Sequence, residues 1–300
     1  MFDFFDSQLI RREYTFQGDT GYINIVSSSD GIRVIGDDVD SVRISYWECP
    51  GKHEYELTEM NGRFSLIHKD IISFLWGVHC VFLDTTMEIV VPREFAGVLD
   101  LRCSSGRVEL AGVSTGSLKI ESSSGSIRGA GIVSGGNVQL HASSGSINLT
   151  DISCADLKAS TSSGLVHMDG IRAGKSLETN TSSGGVSLTN SEVSEDISIG
   201  NHSGMIRFDH VRAGGSVEAG NTSGGIHFNK LGAGSNITLH STSGSIKGII
   251  DGIESDYTIS ASTTSGLNNL GNSGMGSKEL NAHTTSGGIK IAFTNNGKEN

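Results

Sequence analysis

The string GSINLTDISCADLKASTSSG, residues 145–164, decides the fold. Ile147 and Leu149 alternate with Ser146 and Asn148, Ile152 follows a turn, and Leu157 and Ala159 alternate with Lys158 and Ser160. Period-two alternation in two short runs reads as two half-buried strands, not as helix. The closing Ser-Gly step returns all along the chain: Ser105-Gly106, Ser124-Gly125, Ser144-Gly145, Ser163-Gly164, Ser183-Gly184, Ser203-Gly204, Ser223-Gly224, Ser243-Gly244, Ser265-Gly266 and Ser286-Gly287. The units that follow repeat the apolar pattern, as in Val186, Leu188, Val193, Ile197 and Ile199, or Ile226, Phe228, Leu231, Ile237 and Leu239. A fixed period near twenty residues marks a stacked-repeat architecture.

One unit cannot bury its apolar face alone; stacked on its neighbours it can, and the aliphatic residues then form continuous internal columns. The expected fold is all-β, a single-chain parallel β-solenoid (β-helix) with about 20-residue coils and an N-terminal β-meander cap. Ten coils at roughly 4.8 Å give a rod on the order of 45 Å long. The Ser-Gly step has a structural account. Glycine adopts positive φ without a Cβ clash, and the hydroxyls before it bond the local backbone. Second glycines at Gly112, Gly129, Gly170, Gly174, Gly214 and Gly234 predict the other corner. A phosphate-cradling loop does not fit, because no Gly-Lys-Ser/Thr follows and no helix opens after the glycines.

The 300 residues carry a formal net charge of −11, with 41 Gly and 2 Pro. An acidic chain lacks the basic field that phosphate backbones need, so nucleic acid is excluded as the main partner. Cys49, Cys80, Cys103 and Cys154 form no CxxC pair and no metal-ligand spacing, which predicts free buried thiols and a reducing compartment. Met1-Phe2-Asp3-Phe4-Phe5-Asp6 places acids where a secretory signal needs bases. Localisation stays open between cytoplasm and, after loss of a leader, the cell surface. The most apolar run, Ile71 to Leu83, is too short for a membrane-spanning helix, so no transmembrane segment is expected.

Taken in order, residues 1–97 read as N-terminal strands and a capping meander, 98–293 as the regular solenoid continuous with it, and 294–300 as a polar tail. Ile23, Ile25, Ile32 and Val34 around Ser29-Asp30-Gly31 make a first pass of the pattern. Glu54 to Leu57, Arg63 to His68 and Thr86 to Val91 are expected strands, with Asn61-Gly62 as a hairpin turn. Trp47, Phe64, Phe74, Trp76 and Phe82 gather here as the core of a cap, which an open solenoid end requires. The longer spacing at Asn268 to Ser277 predicts looser loops near the C-terminal end.

Met87-Glu88-Ile89-Val90-Val91-Pro92, Val98-Leu99-Asp100-Leu101 and Ser104-Ser105-Gly106-Arg107-Val108-Glu109-Leu110 resemble the start of the repeat in the bacterial "putative adhesin" family of β-strand-repeat proteins. Ser29-Asp30-Gly31-Ile32-Arg33-Val34 and Asp38 to Ile44 resemble its opening strands. The resemblance covers about residues 20–293. It implies a parallel β-solenoid and a bacterial source, and offers no catalytic residues.

Outward positions form rows too. Three residues after each glycine stand Glu109, Arg128, Asn148, His167, Ser187, Arg207, His227 and Lys247. His167, Arg207, His227 and Lys247 make a mildly basic stripe on an acidic protein, the candidate surface contact strip; the competing reading is plain solvated surface. No catalytic, cofactor-binding or metal-binding residues are nominated, and no cofactor is expected. His167 and His227, like His141 and His240, share rows but lie coils apart, too far for one metal. No nucleophile elbow and no recurring carboxylate pair is visible. Thr161, Thr181, Thr222, Thr242, Thr264 and Thr285 suggest a hydroxyl row, too irregular for ordering ice-like water. The leading expectation is a non-enzymatic binding or adhesion-type solenoid presenting an extended face to polysaccharide, cell-envelope component or protein, its oligomeric state open. The alternatives are an intracellular scaffold or regulatory protein, or a polysaccharide-cleaving β-helix enzyme.

Overall fold

A computed structural model describes residues 9–16, 20–51, 53–69 and 85–294. It is a parallel β-solenoid. Each coil gives one strand to a first sheet and one to a second. Along the stack the first sheet runs through Gly31–Asp37, Val108–Ala111, Ile127–Ser134, Ile147–Cys154, Val166–Ala173, Val186–Val193, Ile206–Ala213, Ile226–Ala233, Ile246–Ile250 and Ile289–Phe293. Ile147, Val166, Val186, Ile206 and Ile226 pair successively in register. All five are buried. Each fully buried aliphatic side chain contributes about 1.5–3 kcal/mol, and the columns merge into one core along the rod.

At most Ser-Gly corners the glycine is needed for a reason other than the expected positive φ, while the expected hydroxyl bonds to the local backbone are present. Positive φ occurs there at Gly204 (139°) and Gly224 (153°). Elsewhere the glycine is needed because the corner of one coil rests on the backbone of the coil beneath. A Cβ on Gly125, Gly145, Gly164 or Gly184 would collide with the carbonyl of the preceding corner glycine. A row of inward polar side chains then satisfies these carbonyls. Ser122 Oγ donates to Gly125 O (2.8 Å), Thr161 Oγ1 to Gly145 O (3.0 Å), Ser241 Oγ to Gly224 O (3.0 Å) and Thr284 Oγ1 to Gly244 O (2.8 Å).

The other corners need correction as well. A left-handed residue bends or directly follows seven first-sheet strands, from Val108–Ala111 to Ile226–Ala233, at Gly112, Gly131, Asp151, Gly170, Asn190, His210 and Lys230. Of the second glycines expected, Gly112 and Gly170 belong to this bend. Gly129 instead lies inside a strand, where its bare Cα accommodates Ile132 and Leu149. Gly214 and Gly234 pack on the carbonyls of Ser194 and Gly214 at a separate corner, before the second sheet, where Gly174 also lies.

Both ends are closed. At the N-terminal end Ile10–Thr15 and Arg43–Glu48 add antiparallel strands to the first sheet, with Thr86–Pro92 parallel beside Gly31–Asp37. Glu54–Met60 and Arg63–Lys69 form the expected hairpin at Asn61-Gly62 and extend the second sheet. Phe64 is buried and meets the Phe16 ring edge-on at 4.4 Å; Trp47 is half-buried. Phe74, Trp76, Phe82, the run 71–83 and most of the tail 294–300 lie outside the described residues.

At the C-terminal end the expected looser loop is present, irregular and mostly exposed, but it is anchored on the last strands. The strand Lys278–Ser286 inserts between Asn236–Ser241 and Tyr257–Ser265, so the last two coils are interleaved. The connecting segment folds across the end. Asn269 accepts from Ile291 N–H at Oδ1 (2.9 Å) and donates from Nδ2 to Ile291 O (2.8 Å), while Leu270 is buried. A carboxamide thus replaces the backbone partner that a further strand would supply, which blunts the sheet edge.

Candidate functional site

The outward row of the first sheet is continuous. Arg128, Asn148, His167, Ser187, Arg207, His227 and Lys247 pair strand to strand. Strand Ile289–Phe293 adds Lys290 beside Lys247. All four strip residues therefore stand in one row, with Ser187 between His167 and Arg207. Lys290 is three residues after Gly287, so the same counting rule reaches it once the interleaved coil is allowed for.

The two ends of the row differ electrostatically. Towards the N-terminus Glu109 meets Arg33 at 3.4 Å and Arg107 at 3.3 Å. From Arg128 to Lys290 the row holds no carboxylate. Arg207, His227, Lys247 and Lys290 occupy four adjacent strands, spanning roughly 14 Å at the strand spacing. Partial burial, and then the charges of Lys247 and Arg207, push the His227 imidazole below its ordinary value. The imidazole thus registers a local positive field on a protein that is acidic overall.

Acids beside the strip are held by other groups. Asp209 accepts from Asn229 Nδ2 (2.8 Å) and bonds His210 Nδ1 (2.8 Å). Those contacts, the Asn229 bond first, hold its carboxyl below the usual range, opposite to what a general acid needs. Asp169 accepts from Asn190 Nδ2 at 2.9 Å.

The second sheet and the cap carry two features that counting from glycines misses. Asp30 stands where other coils place the serine of the Ser-Gly step, and it is buried under the cap hairpin. Its carboxylate takes Tyr55 OH (2.5 Å), His53 Nε2 (2.7 Å) and the Thr85 hydroxyl. Burial favours the acid form, but the hydrogen bonds outweigh it and hold the carboxyl low; the same bond to Asp30 raises His53. On the second sheet a shallow depression of about 390 Å³ lies between His141 and Thr222.

His141 and His240 share a row, as expected, and His240 stacks on His283 with centroids 5.4 Å apart. Among the described residues no three His, Cys, Asp or Glu side chains converge as a metal would require. The threonine row divides. Thr161 and Thr181 point inward in line with Asn201, Asn221 and Ser241, whereas Thr222 is exposed. Cys49, Cys103 and Cys154 are free and buried, and burial pushes the Cys103 and Cys154 thiols up to about 11. No helix among the described residues is long and apolar enough to cross a membrane.

Residues 21–299 match the family model Toastrack DUF4097. No functionally curated protein matches the sequence. The chain is similar to a "putative adhesin" from Parabacteroides distasonis ATCC 8503, with TM-score 0.41 and 11% identity over 95% of this chain and 98% of that one. A "putative adhesin" from Bacteroides fragilis NCTC 9343 aligns with TM-score 0.32 and 10% identity, covering 96% and 98%. Likeness at this level carries no argument about activity.

Proposed function

The chain belongs to the Toastrack DUF4097 family, and from that premise we propose that it is a non-enzymatic, adhesion-type solenoid whose first sheet binds an acidic polymer along the rod. The observation that carries this reading is the row Arg207, His227, Lys247 and Lys290 on four adjacent strands. Arg207, Lys247 and Lys290 carry the positive charge and the neutral His227 imidazole between them supplies a hydrogen-bonding group, a row that suits a linear polyanion lying along the rod. The contact strip comprises His167, Arg207, His227 and Lys247, extended by Lys290. Acidic polysaccharide is the partner that this spacing favours.

The test is binding to immobilised polyuronate and sulfated polysaccharide at two salt concentrations. Wild-type protein is expected to bind and to release as salt rises, since the contacts are exposed and screened. The double variant Arg207→Glu/Lys247→Glu should lose at least tenfold in affinity with unchanged melting. Binding that survives the double variant, or no binding to either polymer, overturns the proposal.

A further inference from the structure

We infer that acidity gates the basic strip: a proton on His227 closes the gap between Arg207 and Lys247, so the hold of this face on a polyanion tightens as pH falls. The inference rests on the binding role proposed above for the strip and adds its control. In the row His167, Ser187, Arg207, His227, Lys247, Lys290, a titratable ring stands directly between two cations. Arginine and lysine stay charged through the physiological range, whereas an imidazole changes charge within it. With His227 neutral, the charges of Arg207 and Lys247 are two strands apart, roughly 9.6 Å. With His227 protonated, four charges follow one another at roughly 4.8 Å, one per strand.

The surroundings of His227 suit this role. Two residues before it stands Gly225, and the ring lies beside that bare Cα: a Cβ there would be 3.1 Å from His227 Nε2. Leu165 and Met205 hold the equivalent position before His167 and Arg207, and both are exposed. The polar groups facing His227 come from three strands. Arg207 and Asp209 stand on the preceding strand, Asn229 on its own, and Lys247 on the following one, with Lys290 beyond. Asp209 is the carboxylate among them, and it is already bonded by Asn229 Nδ2 (2.8 Å) and His210 Nδ1 (2.8 Å). Partial burial and the two flanking cations hold the free ring below its ordinary value.

A polyanion reverses that balance. Laid along the row, its negative groups offset the field of Arg207 and Lys247 and favour the charged ring. The value of the bound protein then lies above that of the free protein. Between the two values binding takes up a proton, and affinity rises as pH falls through this window. Proton and polymer strengthen each other by the same factor, because coupling between two ligands is reciprocal.

Dextran sulfate is the probe, since its sulfates stay ionised across the range and only the protein titrates. Calorimetry at one salt concentration should show binding about fivefold tighter at pH 5.5 than at pH 8, the low end of coupling between sites. Buffers of different ionisation heat should reveal net proton uptake. In His227→Gln the ratio of the two affinities should fall to half the wild-type ratio or less. His227→Arg, with a permanent charge at this position, should bind more tightly than wild type at pH 8. His240→Gln, on the second sheet, should keep the wild-type ratio, which separates His227 from the general rise in net charge. Circular dichroism at both pH values checks the fold of each variant. A wild-type ratio in His227→Gln, or an equal fall in His240→Gln, overturns the gate and leaves the strip standing. Binding at pH 8 that Arg207→Glu/Lys247→Glu leaves intact, or no binding at either pH, overturns the strip and the gate with it.

Discussion

His53 Nε2 lies 2.7 Å from Asp30 Oδ2, joining the cap hairpin to the first corner of the stack, and His53 Nδ1 lies 3.1 Å from His68 Nε2. A protonated His53 donates in both directions. The folded His53 value is raised, so its stabilisation is present in full below the unfolded value near 6.5 and is lost as pH rises through the folded value. The Asp30 value is lowered, so its share is present above the unfolded value near 3.9 and is lost as pH falls through the folded one. The cap should therefore be most stable at mildly acidic pH. Thermal melts from pH 4 to 9 are expected to show stability falling on the alkaline side of that range. His53→Gln should flatten that limb, with a loss on the acid side of about 1.5–3 kcal/mol for a charge-assisted hydrogen bond. An alkaline limb identical in wild type and variant contradicts the assignment.

Asp30→Ala removes the acceptor shared by Tyr55, His53 and Thr85. Removing the carboxylate from a partly buried imidazolium and from the buried Tyr55 hydroxyl should cost about 3–5 kcal/mol. Denaturant unfolding reads this directly, and hydrogen exchange should locate the loss in Glu54–Met60 and Arg63–Lys69.

Gly204→Val combines φ of 139° with a collision against the Gly184 carbonyl. Strain of about 1–3 kcal/mol from backbone conformation alone, with the overlap added, should lower the unfolding midpoint strongly. Gly220→Val, where a Cβ meets nothing within 4 Å, is the matched control and should be neutral or stabilising. Equal midpoints for the two variants contradict the account of the corner.

Thr161→Val keeps shape and deletes one hydroxyl. Thr161 Oγ1 donates to Gly145 O (3.0 Å) and accepts from Gly164 N–H (3.1 Å), so two buried backbone groups lose a partner. The expected cost is about 1–3 kcal/mol per unsatisfied group, measured by denaturant unfolding.

Asn269→Ala should expose the edge of Ile289–Phe293, whose Ile291 N–H and C=O lose the carboxamide. Concentration-dependent self-association in sedimentation velocity is the expected outcome, because an unpaired strand edge recruits another. A strictly concentration-independent profile identical to wild type contradicts it.

The solenoid and its internal register were legible because Ile147, Val166, Val186, Ile206 and Ile226 recur at a period that only stacking can satisfy. The strip was legible as a row for the same reason. Interleaving of Lys278–Ser286 was not, since spacing counts residues and is blind to which strand pairs with which; this also hid Lys290. The bend at Asp151, Asn190, His210 and Lys230 was not legible, because non-glycine residues take the left-handed conformation only uncommonly and these four do so at exposed positions within strands. The Asp30 network escaped because its partners lie 23, 25 and 55 residues away, brought together by a cap that has no period.

From Gly125 onward each corner glycine packs on the carbonyl of the corner glycine below, through the interleaved end where Gly287 rests on Gly244 and Gly266 on Gly287. No corner depends on its absolute height in the rod. Length is thus a variable that can change in whole-coil increments: excising or duplicating a segment such as 185–204 keeps the corner packing of the same kind. What such an edit alters is the reach of the outer rows, so the number of charges offered to a partner can be tuned by gene-level duplication without redesigning a single interior residue.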